Sequence, residues 1–323
     1  MGCFMDTLTL MLLACLPALV IVAGLKDLTS MTIPNWISLI LIGAFFPTAL
    51  AVGLPLSTVA AHVGVAILAL FAGAGMFAFP HGFALDRDGF LWVTEGGSHG
   101  DARATLGESM GIGHQVLKLT KQGEVVMRLG EAAVWGDDEN HFNGPSGVAI
   151  AANGDIWVSD GHRGGNNRIV KFTRDGMFVL AVGGGVGSES REPSRFSDAH
   201  DIKIDSQDRV LVADRGNSRI QVFDQDGELL YIWTHYGKPS GLFIDRNDIL
   251  YAGDGLSGQL RTGPPDPWRS NFGWEKGIRI GDLKTEQAWV THFIPQHDVD
   301  VGAGIEFLGV DFDGNIYAGE VKR

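Results

Sequence analysis

The sequence contains little cysteine and comparatively few positive charges. Its two cysteines, Cys3 and Cys15, both lie near the N-terminus, so no disulfide framework stabilises the fold. Lysine and arginine together number 25, against 38 aspartates and glutamates, and the net charge is −13. A protein that binds nucleic acid needs a basic face to contact the phosphates. The charge balance therefore predicts no nucleic-acid partner.

Charged residues are nearly missing from the N-terminal quarter of the chain. Residues 1–80 contain only Asp6, Lys26 and Asp27, and none occurs from Leu28 to Leu85. Three long apolar runs fill this part of the sequence: Leu8–Leu25, Trp36–Leu54 and Ser57–Phe79.

About 20 apolar residues are enough for a helix to cross a bilayer. A secretory signal peptide is the alternative for the first run, but it needs basic residues ahead of its apolar stretch, and none is present. We therefore expect residues 1–79 to form a segment of three transmembrane helices in a lipid bilayer. Residues 80–323 would then form a second domain.

The segment after the first run reads Asp27-Leu-Thr-Ser-Met-Thr-Ile-Pro-Asn-Trp. An aspartate at a helix end, followed by Ile-Pro-Asn at the next helix, resembles the type IV prepilin peptidases, which are bacterial intramembrane aspartic proteases. The resemblance covers roughly residues 8–79 and implies that Asp27 is one of two catalytic carboxylates. The second belongs to a Gly-x-Gly-Asp motif, but Ala-Phe-Pro-His81 stands in its place. We therefore expect Asp27 to be a proteolytically inert remnant.

The rest of the chain contains an internal repeat. Five segments align without a gap over 15 positions, starting at His81, Ser146, His200, Ser240 and Glu306. Each has a turn dipeptide at positions 8 and 9, a large apolar residue at position 12 and an acid at position 15. This pattern predicts a strand, a tight turn and a strand, and two more strands follow in most units.

Repeats of about 40 residues with four strands are typical of propeller blades. We therefore predict an all-β propeller with five recognisable blade units: four full blades and the first hairpin of a fifth. The phrases Pro145-Ser-Gly-Val-Ala-Ile and Val212-Ala-Asp-Arg-Gly-Asn-Ser-Arg-Ile resemble NHL repeats.

Over residues 80–323 the pattern resembles the peptidyl-hydroxyglycine amidating lyases within the NHL superfamily. Their reaction cleaves a carbon–nitrogen bond and releases an amide and glyoxylate. The resemblance implies a six-bladed parent, whereas this sequence shows five units. The ring would then be incomplete, or closed only in a homo-oligomer or with a protein partner.

Position 1 of each unit should lie at the entry of the innermost strand, beside the central channel. Two histidines and a glutamate among these five residues are suitable ligands for zinc, and also for iron or manganese. The sequence therefore predicts a metal site of His81, His200 and Glu306. Hydrogen-bonded channel residues without a metal are the alternative, and calcium is an option that no sequence feature supports.

The amidating-lyase resemblance adds roles to these residues. Three histidines at equivalent repeat starts bind zinc in that family, which implies that Glu306 stands in the third place. A family tyrosine follows Ser-Asp-Gly, and here His162 follows that tripeptide, so we expect His162 to act as the base. Arg215 matches an arginine that holds charge on the substrate, with an ion pair to a neighbouring acid as the alternative.

Three functions stay open at this point. The first is a membrane-anchored, amidating-lyase-like metalloenzyme that acts on a small amide or peptide. The second is a non-catalytic propeller that binds a peptide or a protein, and the third is a prepilin-peptidase-like membrane protein without its second aspartate.

The two resemblances disagree about which side of the membrane the propeller occupies. Lys26 favours a cytoplasmic first loop, and three spans then leave the propeller on the cytoplasmic side. Lyase-like propellers are usually exported. We expect a multi-pass protein of a bacterial inner membrane, with the cytoplasmic side favoured.

Overall fold

Antiparallel sheets of consecutive strands make up the described part of the chain. The computed structural model describes residues 77–184, 190–258, 273–296 and 303–322. The predicted membrane spans, apart from the last three residues of the third, and Asp27 lie outside these ranges. Within the described residues no helix is both long and apolar enough to cross a membrane.

Four blades have four strands each. The first contains β1 (Pro80–Leu85), β2 (Leu91–Glu95), β3 (Val116–Leu119) and β4 (Val125–Leu129), and the second contains β5 (Pro145–Ile150), β6 (Ile156–Asp160), β7 (Arg168–Phe172) and β8 (Phe178–Gly183). The third contains β9 (Ala199–Ile204), β10 (Val210–Asp214), β11 (Arg219–Phe223) and β12 (Leu229–Trp233). The fourth contains β13 (Pro239–Ile244), β14 (Ile249–Asp254), β15 (Gly277–Asp282) and β16 (Val290–Pro295).

The fifth unit is a hairpin of β17 (Ala303–Val310) and β18 (Ile316–Lys322). A helix, α1 (Ala102–Ser109), separates β2 from β3 in the first blade. The first strands of successive units lie side by side, so position 1 of every unit faces the same region. The predicted arrangement of four blades and a further hairpin is confirmed for the described residues.

The tight turn predicted in every unit is also confirmed. The residue at position 9 has a positive φ in all five units, between 58° and 94°. Its N–H donates to the carbonyl three residues earlier, which closes the turn. Glycine adopts this conformation without steric cost and aspartate tolerates it, which explains the residues found there: Gly89, Gly154, Asp208, Asp248 and Gly314.

The acid at position 15 fixes the chain that enters each blade. Its carboxylate accepts an N–H from the segment just before β1, β5, β9 or β13, at 2.8 to 3.0 Å: Glu95 from Phe79, Asp160 from Asn143, Asp214 from Ser197 and Asp254 from Lys238. The three aspartates also pair with a buried arginine on the third strand of their blade: Arg168, Arg219 and Arg279. Because these buried charges are paired and hydrogen-bonded, they hold the repeat starts in place.

The apolar core lies between neighbouring blades. Trp92 of the first blade packs in one cluster with Val148 and Val158 of the second. Trp157 of the second blade packs in the next cluster with Ile202 of the third. The side chain at position 12 of the first three units, Trp92, Trp157 and Leu211, is therefore buried against the unit that follows.

Candidate metal centre

Three imidazole rings meet where the first strands come together. His81 and His200 occupy position 1 in β1 and β9. His162 begins a short 3₁₀ turn, His162–Gly164, that follows β6. The ring centroids are 4.3 Å apart for His81 and His162, 4.7 Å for His81 and His200, and 5.0 Å for His162 and His200.

All three rings are oriented by a backbone carbonyl. His81 Nδ1 lies 2.8 Å from the backbone oxygen of Ser146. His162 Nδ1 lies 2.9 Å from the backbone oxygen of Gly96, and His200 Nδ1 lies 2.9 Å from that of Ser240. A carbonyl only accepts, so each Nδ1 carries the proton and donates it. Each Nε2 is therefore the unprotonated nitrogen, with its lone pair available to a ligand. Metal-binding histidines are held by this same type of contact.

The three rings can offer their nitrogens to one ion. One nitrogen from each ring lies within 4.8 Å of the others, and this is the group of ligand atoms that the described residues bring together. His200 Nε2 is buried and has no hydrogen-bond partner. An unsatisfied buried nitrogen is costly, and a bound cation would satisfy it. The donor set therefore fits a divalent ion such as zinc, iron or manganese.

Burial keeps these rings neutral. It lowers the pKa of His81 below the usual value for histidine, and it holds the pKa values of His162 and His200 well below it. The charges of neighbouring histidines add to the effect at His162, and the charge of Arg215 adds to it at His200. A metal binds the neutral form of imidazole, so these rings are ready to bind near neutral pH.

Glu306 lies beside this group, on β17. Its Oε2 is 3.4 Å from His200 Nε2 and accepts a hydrogen bond of 2.8 Å from Arg215 NH1. The carboxylate is not part of the group of three whose ligand atoms lie within 4.8 Å of one another. The structure thus places His81, His200 and Glu306 together as neighbours, and it adds His162 to the two histidines.

Arg215 is enclosed by carboxylates. It starts a 3₁₀ turn after β10, and its side chain is 2 % exposed. Its Nε and NH2 both contact Asp198 Oδ2, at 2.8 and 2.7 Å, while NH1 donates to Glu306. Burial alone would raise the pKa of Asp198, but the Arg215 charge outweighs it and holds that pKa far below its usual range. Arg215 thus forms the ion pairs that its sequence allowed as an alternative to substrate binding.

The turn that carries His162 is fixed on both sides. The N–H groups of Gly161 and His162 both donate to the Gly144 carbonyl, at 3.0 Å. Arg163 has a left-handed backbone, with φ of 53°, and its N–H donates to Asp198 Oδ1. Its guanidinium pairs with Asp101 at 2.7 Å. The turn is therefore bonded to Gly144 at the start of the second blade, to Asp198 at the start of the third and to Asp101 in the first.

Two aromatic side chains border the rings. The Phe79 ring lies 5.6 Å from that of His81 and 5.7 Å from that of His162. On another side of His81, Phe307 lies 5.0 Å away. Sequence reasoning missed both, as well as Asp198. Phe307 directly follows a repeat start, whereas Phe79 and Asp198 each lie two residues before one, at a position that no motif marks.

Comparison with known proteins agrees with this fold. The profile of the NHL repeat matches residues 142–172 and 196–223. The chain contains NHL repeats, and its blades form an NHL-type propeller.

Several curated proteins are similar over part of the chain. The probable peptidyl-alpha-hydroxyglycine alpha-amidating lyase pgal-1 of Caenorhabditis elegans is 39% identical over 153 residues, which cover 47% of this chain and 38% of that protein. Peptidyl-glycine alpha-amidating monooxygenase B of Xenopus laevis is 32% identical over 233 residues, 65% of this chain and 25% of the relative. NHL repeat-containing protein 3 of Homo sapiens is 37% identical over 162 residues, 48% of this chain and 42% of the relative. The chain thus spans less than half the length of each.

Proposed function

We propose that this propeller is a metal-dependent carbon–nitrogen lyase that acts on an α-hydroxyglycine amide and releases an amide and glyoxylate. The convergence of three neutral imidazoles, one with a buried unsatisfied nitrogen, carries this proposal. The similarity to proteins named as amidating lyases supports the choice of reaction. NHL repeat-containing protein 3, whose name states no reaction, is similar to a comparable degree, so we keep a propeller that binds a peptide or protein as the competing function.

His81, His162 and His200 would bind the metal through Nε2, since each Nδ1 donates a hydrogen bond to a backbone carbonyl. A divalent ion at this place would act as a Lewis acid toward an oxygen of the substrate. Asp198, Arg215 and Glu306 surround the rings with one positive and two negative charges. This net negative charge favours a cation and disfavours an anion next to the three nitrogens.

The aromatic rings of Phe79 and Phe307 would limit access of water to the site. Both are half-buried and lie against His81, so an apolar group of the substrate could pack on them. Exclusion of water strengthens electrostatic interactions inside a site. The proposed substrate, a peptide that ends in hydroxyglycine, would place its hydroxyl at the nitrogens and its peptide portion toward these rings.

Metal analysis and product analysis of the full chain test this function together. Wild-type protein should retain about one equivalent of a divalent metal after dialysis and should release glyoxylate from an α-hydroxyglycine peptide. His200→Ala should lose both properties, whereas His99→Ala, which removes a partly exposed ring near Trp135, should keep them. Bound metal without glyoxylate release would support the binding propeller instead. Wild-type protein that retains no metal would overturn the metal centre.

A further inference from the structure

We infer that Glu306 is the proton acceptor of this site and lies outside the metal ligands, and that Arg215 is the residue that positions it. This inference rests on the proposed function and assigns the acid–base residue of the same site. It differs from both roles expected from sequence, in which Glu306 is a ligand and His162 is the base.

His162 is excluded as a base by its contacts. Its Nδ1 donates to the Gly96 carbonyl, as the Nδ1 atoms of the other two histidines do to theirs. Its other nitrogen, Nε2, is therefore the one left to join the group of three ligand atoms that lie within 4.8 Å of one another. A nitrogen whose lone pair binds a metal cannot also accept a proton from the substrate. A different group must therefore take that proton.

Glu306 has a carboxylate in direct contact with His200. Its Oε2 lies 3.4 Å from His200 Nε2, so an atom bound next to that nitrogen is within hydrogen-bond reach of the carboxylate. No proton lies between the two atoms, because the His200 proton is on Nδ1. The two oxygens of a carboxylate offer about four lone-pair sites, so a hydrogen bond from Arg215 does not by itself prevent Glu306 from accepting a proton.

Arg215 fixes the direction of this carboxylate. The guanidinium is planar, and Asp198 holds it through Nε and NH2, which leaves NH1 aimed at Glu306 Oε2. Ser240 Oγ, at 3.4 Å from NH1, lies on the same side. With its side chain only 2 % exposed, Arg215 cannot reach a substrate without breaking these pairs. It therefore acts through Glu306 and does not contact the substrate.

The proposed proton transfer balances without a further reactant. The Glu306 carboxylate takes the proton of the substrate hydroxyl, and the oxygen forms the carbonyl of glyoxylate. The carbon–nitrogen bond breaks, and its electron pair leaves with the amide nitrogen. Glu306 then returns the proton to that nitrogen, which gives the free amide and restores the carboxylate.

Metal affinity and steady-state kinetics of the full chain separate these roles. His162→Ala should lower the affinity for Co²⁺ or Zn²⁺ at least 100-fold in competition with a chelator. Glu306→Gln keeps the shape of the side chain, and we expect its metal affinity to stay within about threefold of wild type. Its kcat should fall by about 10² to 10⁴, the range typical of a lost acid–base group. Glu320→Gln, at an exposed position of β18, is the matched control and should change neither.

Arg215→Lys tests the positioning role. We expect kcat to fall at least tenfold while KM and metal affinity stay within about threefold. An increase in KM with kcat unchanged would place Arg215 on the substrate and overturn this role.

Loss of metal by Glu306→Gln, with metal binding preserved in His162→Ala, would overturn the assignment of Glu306 as the base and of His162 as a ligand. Absence of turnover in metal-loaded wild type would overturn the proposed function and the proton transfer, whereas the ligand set would still be decided by the affinities.

Discussion

Arg215 NH1 donates a hydrogen bond of 2.8 Å to Glu306 Oε2, across 91 positions of sequence. The contact joins the third blade to the hairpin of the fifth unit. Together with Asp198, whose side chain is 21 % exposed, it forms a system of one positive and two negative charges around a buried guanidinium. Such a system is stable only while its charges remain paired, which leads to a prediction about folding.

Arg215→Met should destabilise the protein by about 3 to 5 kcal/mol, the usual cost of removing one partner from a buried ion pair. The loss arises because the buried Glu306 and the half-buried Asp198 would be left without a counter-charge. Addition of Glu306→Gln should restore part of the stability, since it removes one of the uncompensated charges. Urea unfolding of the metal-free protein measures both effects. A loss below 1 kcal/mol in the single variant would show that these carboxylates are solvated.

Gly144 determines where the His162 turn lies. A Cβ on Gly144 would approach the His162 oxygen at 2.7 Å and its nitrogen at 3.2 Å, whereas a Cβ on Gly100 would meet nothing within 4 Å. Both glycines have φ of 89°, so alanine suffers a similar backbone strain at either position.

Gly144→Ala should therefore displace His162 and lower metal affinity at least tenfold, while Gly100→Ala should leave the affinity unchanged. Titration with a chromophoric chelator as competitor measures the difference. Equal affinities in the two variants would mean that the turn adjusts without moving the ring.

The fold could be predicted from the sequence because its signal repeats. The turn at position 9 and the large apolar side chain at position 12 recur in each unit, and local rules explain both. The acid at position 15 was visible as a pattern, but its partner was not. It accepts an N–H from a segment about 16 residues earlier, and only the folded blade brings that segment near.

The site was harder to predict, for a geometric reason. Position 1 of the repeat predicted that His81, His200 and Glu306 are neighbours, and in the structure the His200 ring lies 4.7 Å from that of His81 and 3.4 Å from the Glu306 carboxylate. It could not indicate that His162 reaches the same place from the end of β6, because that depends on the turn after this strand, where the N–H of His162 donates to the Gly144 carbonyl. Nor could the spacing of residues reveal that the Arg215 guanidinium forms ion pairs with both Asp198 and Glu306.

The buried histidines predict a pH dependence for the metal-free protein. Burial lowers the pKa of His162 well below its ordinary value, so between the two values the unfolded chain binds a proton that the folded chain does not. The free energy of unfolding should therefore decrease as pH falls below about 6.5, by roughly 1 kcal/mol per pH unit for each such histidine.

Comparison of wild type with His162→Gln isolates this contribution, since the other titrating groups are common to both proteins. Urea unfolding at several values between pH 7 and 5 should give a steeper loss for wild type. Parallel curves would show that His162 is protonated as easily in the folded protein as in the unfolded chain.

Position 12 offers a test of how far the blades cover one another. Trp157 is fully buried at this position, and its Nε1 donates to Gln225 in the third blade at 2.9 Å. Tyr317 occupies the same position in the fifth unit and is 61 % exposed.

Trp157→Ala should cost about 3 to 5 kcal/mol of unfolding free energy, as expected for a large aromatic side chain in a core. Tyr317→Ala should cost less than about 1 kcal/mol, because few contacts are lost at an exposed position. Denaturant unfolding of both variants measures the contrast, and similar costs would mean that a further strand covers Tyr317 in solution.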